Sequence, residues 1–229
     1  DVSIKGLESG LEISADLSAG AAALSRFSGL AGRPLGGALR GTAKGSFTPL
    51  SGAFDGSVAL IGQNLTAGIA QLDTMLTGTT ALDLTAARDT LGLHITHFAL
   101  DGPALGASAK GTLSSETGQM EISAELKQLE LLVPQNPGSL ALTTRMTRAG
   151  SRLSGVAELR GPNGSGAQLD GSVTLEGDAD FTFSAGLDQL ERFVPQLAGK
   201  LTAEGSAARR QGSWQISGMA AGPAGTTAD

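Results

Sequence analysis

The chain has 229 residues, a formal net charge of −6 and basic residues scattered along its length, which excludes the clustered cationic footprint of a nucleic-acid-binding domain. It has no cysteine, so disulfide staples and thiolate metal sites are excluded, while an oxidising compartment stays compatible. Aromatic residues make up 3% against 34 glycines, so an interior built from this chain is aliphatic rather than lined by large rings, and no run of about 18 apolar residues exists to span a membrane as a helix.

Residues 1–18 alternate with a period of two, as a strand with one buried face does: Val2 and Ile4, then Leu11, Ile13, Ala15 and Leu17, with Ser9-Gly10 as the turn between them. Ala21 to Leu30 reads as a short helix and Arg33 to Gly37 as a loop. Two strands follow, near 38–48 and 52–61, around Thr48-Pro49. Asn64 to Leu76 then reads as a helix capped by Asn64, with Leu65, Ile69, Leu72 and Leu76 at helical spacing and Gly78 ending it.

From Gly78 onward the chain is written nearly twice. Arg88, Arg148 and Arg209 are spaced by 60 and 61, Gly102-Pro103, Gly161-Pro162 and Gly222-Pro223 by 59 and 61, and Val133-Pro134 and Val194-Pro195 by 61. Such a period signals repeats that grow by units rather than by closing one core. The expected segments are 1–77, carrying incomplete or shortened repeats with two helical crossings, then full repeats 78–138 and 139–198, and the start of another at 199–229.

Within the first repeat, strand one carries Leu82 and Leu84, Arg88-Asp89 turns, and strand two carries Leu91, Leu93 and Ile95. After Asp101-Gly102-Pro103, strand three carries Leu105, Ala107 and Ala109, and strand four Met120, Ile122, Ala124 and Leu126. An irregular crossing runs from Leu129 to Val133 and ends at Pro134, Pro137 and Gly138. The second repeat follows the same order: Leu140 and Leu142; a turn at Arg148–Gly150; Leu153, Ala157 and Leu159; Leu169, Val173 and Leu175; then Phe181, Phe183, Ala185 and Leu187. Its crossing holds Leu190, Phe193, Val194, Pro195 and Leu197. The next repeat opens with Leu201 and Ala203, turns at Arg209-Arg210 and continues with Trp214 and Ile216.

Links of two to six residues join only antiparallel neighbours, because a parallel crossover needs a dozen or more. The fold class is therefore all-β, a long antiparallel sheet with crossings between repeats. About a dozen strands, each apolar on one face, leave that face in need of a cover. Small and aliphatic residues alternating along glycine-bearing strands suit a curved, grooved sheet with room inside. A long, flexible, apolar ligand fits such a groove, acyl chains best, and at about 25 cal/mol per Å² a lipid tail gains several kcal/mol there.

The segments "LDLTAARDTLGLHITHFALDGPAL", "LDQLERFVPQLAGKLTAEG" and "WQISGMAAGPAGTTA" carry a resemblance covering most of the chain from about Leu72. They resemble the repeating β-groove proteins of the AsmA-like family, and within it the TamB group of the bacterial translocation and assembly module. The resemblance implies a taco-like β-groove in a long periplasmic protein anchored in the inner membrane by a segment outside this sequence. It also implies phospholipid transfer between the two membranes, a link to outer-membrane biogenesis, and an outer-membrane barrel partner of the TamA/BamA type reached through other parts of the protein. No catalytic motif comes with it. The inward positions of the repeats are the expected groove lining: Leu82, Leu84, Leu91, Leu93, Ile95, Leu105, Met120, Ile122, Leu140, Leu142, Leu153, Leu159, Leu169, Val173, Leu175, Phe181, Phe183, Leu201, Trp214 and Ile216. The opening on a strand and the close at Asp229 in mid-repeat read as a fragment of a longer protein.

No cofactor signature is present. His94 and His97 are expected on opposite strand faces and so cannot share a metal. Glu176, Asp178 and Asp180 read as a solvated strand edge rather than a cation site. Gly161 to Gly166 lacks the Lys-Ser/Thr of a phosphate-binding loop, and no nucleophile elbow surrounds any serine, so no enzyme is expected. Asn64-Leu65-Thr66 and Asn163-Gly164-Ser165 are glycosylation sequons in form only for a bacterial protein. Leu129, Leu132, Phe193 and Leu197 either cap the groove or pack as ordinary loop residues. Beside lipid conduction stand a chaperone module that templates outer-membrane strands by β-augmentation, and a parallel-solenoid adhesin, against which the hairpin turns argue.

Overall fold

A computed structural model describes the chain except for residues 6–10, 193–197, 224–226 and 229. The expected Ser9-Gly10 turn, the crossing positions Phe193, Val194, Pro195 and Leu197, and Asp229 lie outside the described residues. The protein is all-β and antiparallel, and it divides into two compact units, Asp1–Ser114 and Ser115–Asp229.

The first unit holds β1 (Val2–Lys5), β2 (Glu12–Ala21), β3 (Gly36–Thr48), β4 (Ala53–Thr66), β5 (Thr79–Asp89), β6 (Gly92–Asp101) and β7 (Leu105–Leu113). Each strand pairs antiparallel with the next. A single turn of 3-10 helix, Leu24–Phe27, leads into the four-residue helix α1 (Ser28–Ala31), and α2 (Ala70–Met75) stands between β4 and β5. The second unit holds β8 (Thr117–Leu126), β9 (Leu140–Ala149), β10 (Arg152–Arg160), β11 (Gly166–Thr174), β12 (Ala179–Leu187), β13 (Leu201–Arg210), β14 (Ser213–Ala221) and β15 (Thr227–Ala228). These too form a meander in chain order. Turns of 3-10 helix at Leu129–Leu131 and Leu190–Arg192 follow β8 and β12. Among the described residues no helix is long and apolar enough to cross a membrane.

The strand pattern is as expected, and the differences lie at the ends of elements. The expected helix from Asn64 is cut to Ala70–Met75, with Ile69 rather than Asn64 at its N-cap. Pairing with β5 runs to Gln63 and pairing with β3 resumes at Thr66 past an irregularity, which carries β4 through Asn64 and Leu65, because ladder hydrogen bonds outweigh a weak helical spacing. Asn64 has φ 48°, and its Oδ1 accepts a hydrogen bond from Gly78 N–H at 2.9 Å. Likewise Gly36-Gly37, expected in a loop, open β3.

The expected turns at Arg88-Asp89, Arg148–Gly150 and Arg209-Arg210 are all displaced toward the C-terminus. The tips are 90–91, 150–151 and 211–212, and the three arginines lie inside β5, β9 and β13. Two-residue hairpin loops favour positive φ, and Gly150 (59°), Gln211 (50°) and Gly212 (83°) supply it just beyond the arginines. The first of these displacements moves Leu91 out of β6 into a hairpin tip, 71% exposed; separately, Leu175 lies beyond the end of β11, in the turn to β12, 75% exposed.

Three crossings are closed in the same way. The N–H of Asn64, Leu129 and Leu190 donates to the carbonyl of Gly78, Gly138 and Gly199, at 2.8, 2.8 and 2.9 Å. The N–H of each glycine donates back to a side chain: Asn64 Oδ1, Glu130 Oε2 and Glu191 Oε2. All three glycines have positive φ, between 104° and 134°, and each faces the proline of the following Gly-Pro turn: Pro103, Pro162 and Pro223. The Gly-Pro landmarks are thus the seats of the crossings.

Candidate functional site: an uncovered apolar face

Residues directly opposite one another in an antiparallel pair point to the same face, so register assigns every strand side chain. In the first unit one row reads Leu17, Ala43, Val58, Leu84, Phe98 and Ala109, and the next Ala19, Gly41, Leu60, Leu82, Leu100 and Ala107. A third reads Ile13, Phe47, Phe54, Arg88, Leu93 and Leu113. The opposite face is polar, with rows such as Asp16, Lys44, Ser57, Thr85 and His97.

The second unit repeats the division. Its apolar rows include Ala124, Leu142, Leu159, Ala167, Ala185, Ala203 and Ala220; then Ile122, Thr144, Ala157, Leu169, Phe183, Gly205 and Gly218; then Met120, Met146, Gly155, Gly171, Phe181, Ala207 and Ile216. The end row is Gly118, Arg148, Leu153, Val173, Ala179, Arg209 and Trp214.

Of the twenty positions expected to line a groove, eighteen stand on these apolar faces. Leu82, Leu84, Leu93, Ile95 and Leu105 belong to the first unit, and Leu140 and Leu201 join the second through their partners Leu126 and Leu187. Leu91 and Leu175 do not, for the turn geometry given above. Sequence reading missed Phe98 and Leu100, and with them Leu39, Phe47, Phe54, Val58 and Leu60 of the N-terminal strands. The alternation in β3 and β4 was the signal for the last five.

Phe98 and Leu100 were hidden by a bulge. Thr85 pairs with His97 but Ala86 with Ile95, so Thr96 is an extra residue and reverses the alternation beyond it. The bulge also overturns the expectation for the histidines: His94 and His97 oppose Ala87 and Thr85, two residues apart on β5, and therefore share the polar face. Among the described residues no cluster of His, Asp or Glu is arranged to hold a metal. His94 Nε2 lies 3.4 Å from Asp89 Oδ1.

Among the described residues of either unit, no second layer lies over the apolar face. Among the described residues only Met75, Ala86, Ala104, Ala179 and Leu190 are buried hydrophobics. Leu169 in the middle of its sheet is 41% exposed, and Ile216 is 72% exposed. A contiguous exposed apolar surface of this kind marks a binding surface in a folded protein. In the first unit a hollow of about 400 Å³ opens on it, lined by Leu17, Ala21, Leu39, Val58 and Leu60 and closed on one side by Leu24 and Phe27 of the 3-10 turn. Of the crossing residues, Leu129 is half-buried and Leu132 is exposed.

Glycines pair across strands on the same face: Gly45 with Gly56, Gly155 with Gly171, and Gly205 with Gly218. A Cβ on Gly45 would meet the Asp55 carbonyl oxygen and stand 2.8 Å from Gly56 Cα. A Cβ on Gly205 would stand 2.8 Å from Gly218 Cα and 2.7 Å from the Phe183 ring. At Gly45–Gly56 and Gly205–Gly218 the backbones stand so close on the apolar side that a Cβ would collide, and glycines of this kind allow a sheet to bend locally.

The polar face of the second unit has two hollows of its own, of about 740 and 780 Å³, along Gln168, Ser184, Glu204 and Met219. A twisted sheet is saddle-shaped and hollow on both faces. The charged groups there are exposed or self-paired: Arg160 bonds Glu158 at 2.7 Å. At the neighbouring hairpin Arg210 bonds Asp180 at 2.5 Å, and Asp178 Oδ1 accepts Gln211 N–H, so these carboxylates fix the turn.

At the β5–β6 hairpin Asp89 Oδ1 accepts from Leu91 N–H at 2.7 Å and Gly92 N–H at 3.2 Å. The Leu91 N–H, with a smaller contribution from His94, holds the Asp89 carboxyl below its ordinary value. A depressed folded-state pKa gives a contribution present above the unfolded value of about 3.9 and lost as pH falls through the lower folded one. The Leu91 amide proton shift should therefore titrate with a midpoint below about 3.9, and Asp89→Asn should abolish that titration. A midpoint at or above the ordinary value would show that the turn does not hold the ionised form.

No family model, curated protein or solved structure matches the chain.

Proposed function

We propose that the chain is a groove segment of a periplasmic, inner-membrane-anchored protein that shields acyl chains and conducts phospholipid between the inner and outer membranes. Its unit is a repeat of about sixty residues, four antiparallel strands and one crossing, stacked to extend an apolar trough. The single observation that carries this reading is the apolar face. It runs across every strand from β2 to β7 and from β8 to β14, and it stays half-exposed because no second layer covers it among the described residues. The similarly closed crossings, whose glycines Gly78, Gly138 and Gly199 are about sixty residues apart, support the repeat. The resemblance to the AsmA-like family points the same way, toward lipid transfer linked to outer-membrane biogenesis.

Photo-crosslinkers placed at Leu93, Ile122, Leu142 and Phe183 in cells test the reading. Phospholipid is the expected adduct at all four, with none at Gln168 or Thr85 on the polar face. Recovery of nascent barrel protein alone would sink lipid conduction. It would favour the second reading, a module that templates outer-membrane strands by β-augmentation. The observation behind that alternative is the outer edge of β14, which pairs with β15 only at Ala220 and Ala221 among the described residues.

A further inference from the structure

Across the strands with described side chains, the apolar face carries three charged residues, Arg88, Arg148 and Arg209. None of the acidic side chains of this acidic chain falls on it; Asp55, Asp83, Glu121, Glu158, Asp170, Asp180 and Glu204 all stand on the polar face. The three arginines occupy one structural place, the next-to-last residue of the strand that precedes a two-residue hairpin tip. In the second unit Arg148 and Arg209 share the end row with Leu153, Val173 and Trp214, and in the first Arg88 stands between Phe54 and Leu93.

Burying an arginine stem along apolar surface while its head stays wet is ordinary; confining cations to one end of an apolar face is selective. Arg209 Nη1 donates to the Gly177 carbonyl at 3.1 Å and forms no ion pair among the described residues. Arg148 Nε donates to the Gly150 carbonyl at 3.1 Å. Arg88 is exposed and makes no hydrogen bond or ion pair among the described residues. A guanidinium carries five N–H donors in a planar fork, so Arg88 and Arg209 keep donors for a bidentate oxyanion, and Arg148 places a third cation at the matching position.

We propose that these arginines receive the phosphate of an acyl lipid whose tails lie on the apolar rows, so that each repeat holds its lipid in one polarity, head at the hairpin end. The inference rests on the acyl-chain reading above and adds the head-group class and its orientation. The dimensions agree. From Arg148 back to Leu140 along β9 is about 27 Å at strand rise, more than the roughly 15 Å that one tail occupies in a bilayer leaflet. Arg148 and Arg209 are four strands apart, about 19 Å, so each serves a separate lipid.

The test uses the 229-residue chain and two fluorescent probes with the same acyl chain, one ending in a phosphate monoester and one in a hydroxyl. The phosphate-headed probe should bind about tenfold more tightly, with an advantage that shrinks as salt is added. Replacing all three residues, Arg88→Gln, Arg148→Gln and Arg209→Gln, should bring its affinity down to that of the hydroxyl-headed probe, whose own binding stays unchanged. Lysine at the three positions should restore most of the preference. Arg88→Gln alone, which breaks no hydrogen bond, should remove a share of the phosphate sites without touching the fold. Equal binding of both probes by the unmodified chain, or a preference that survives the glutamines, overturns the head-group assignment and leaves the acyl reading standing. Binding of neither probe overturns both.

Discussion

Leu169→Asp should reduce binding of an acyl-chain probe by roughly thirty-fold, while Gln168→Asp, one residue away, should leave it unchanged. Leu169 sits mid-row between Ala157 and Phe183 on the apolar face, and Gln168 points to the other side between Glu158 and Ser184. Removing a leucine contact from a bound tail forfeits about 2 kcal/mol, and a carboxylate in its place adds a desolvation cost. Because Leu169 is 41% exposed without ligand, the substitution costs the folded chain far less than it costs the complex. Equal losses for the two variants, at matched circular dichroism, would mean that the tails do not lie on this face.

Gly45→Val should destabilise the first unit by about 3 kcal/mol, the upper end of overpacking costs. The new side chain meets the Asp55 carbonyl oxygen and Gly56 Cα, both backbone atoms that cannot swing aside. The two backbones already stand close at this pair, so the ladder between β3 and β4 must open to admit the side chain. Gly186→Ala is the matching control. Its Cβ has only the Leu201 carbonyl oxygen near, at 4.0 Å, and its effect should stay within about 1 kcal/mol, favourable if anything. Urea midpoints of the two variants and the unmodified chain check this. An unchanged midpoint for Gly45→Val would mean that the two backbones do not close up at this glycine pair.

Both predictions bear on one balance. A single sheet with one apolar face gains little by burying that face against itself, which is why large side chains such as Leu142, Leu153 and Trp214 remain more than a third exposed. What holds the fold is the ladder of backbone hydrogen bonds and the crossings closed on Gly78, Gly138 and Gly199. In the proposed reading an acyl chain covers the face without disturbing either, so its binding calls for no rearrangement of the strands.

Sequence by itself determined the all-β class, the antiparallel meander and most of the apolar face. Period-two alternation assigns faces wherever a strand runs uninterrupted, as for Leu153, Ala157 and Leu159 or Phe181 and Phe183. It determined the sixty-residue spacing of the arginine, Gly-Pro and Val-Pro landmarks, but not what the landmarks do. Only the tertiary structure decided the points where one residue changes a parity or an end. The Thr96 bulge turned His97 to the side of His94 and brought Phe98 and Leu100 onto the apolar face. The observed hairpin ends left Leu91 and Leu175 off the strands and placed the arginines on them. The physical reason is common to both: alternation is a local property, whereas register is fixed by hydrogen bonds to a neighbouring strand far away in sequence. An arginine at the end of a strand looks like a turn residue until its partners, Leu93, Leu153 and Trp214, show which face it shares.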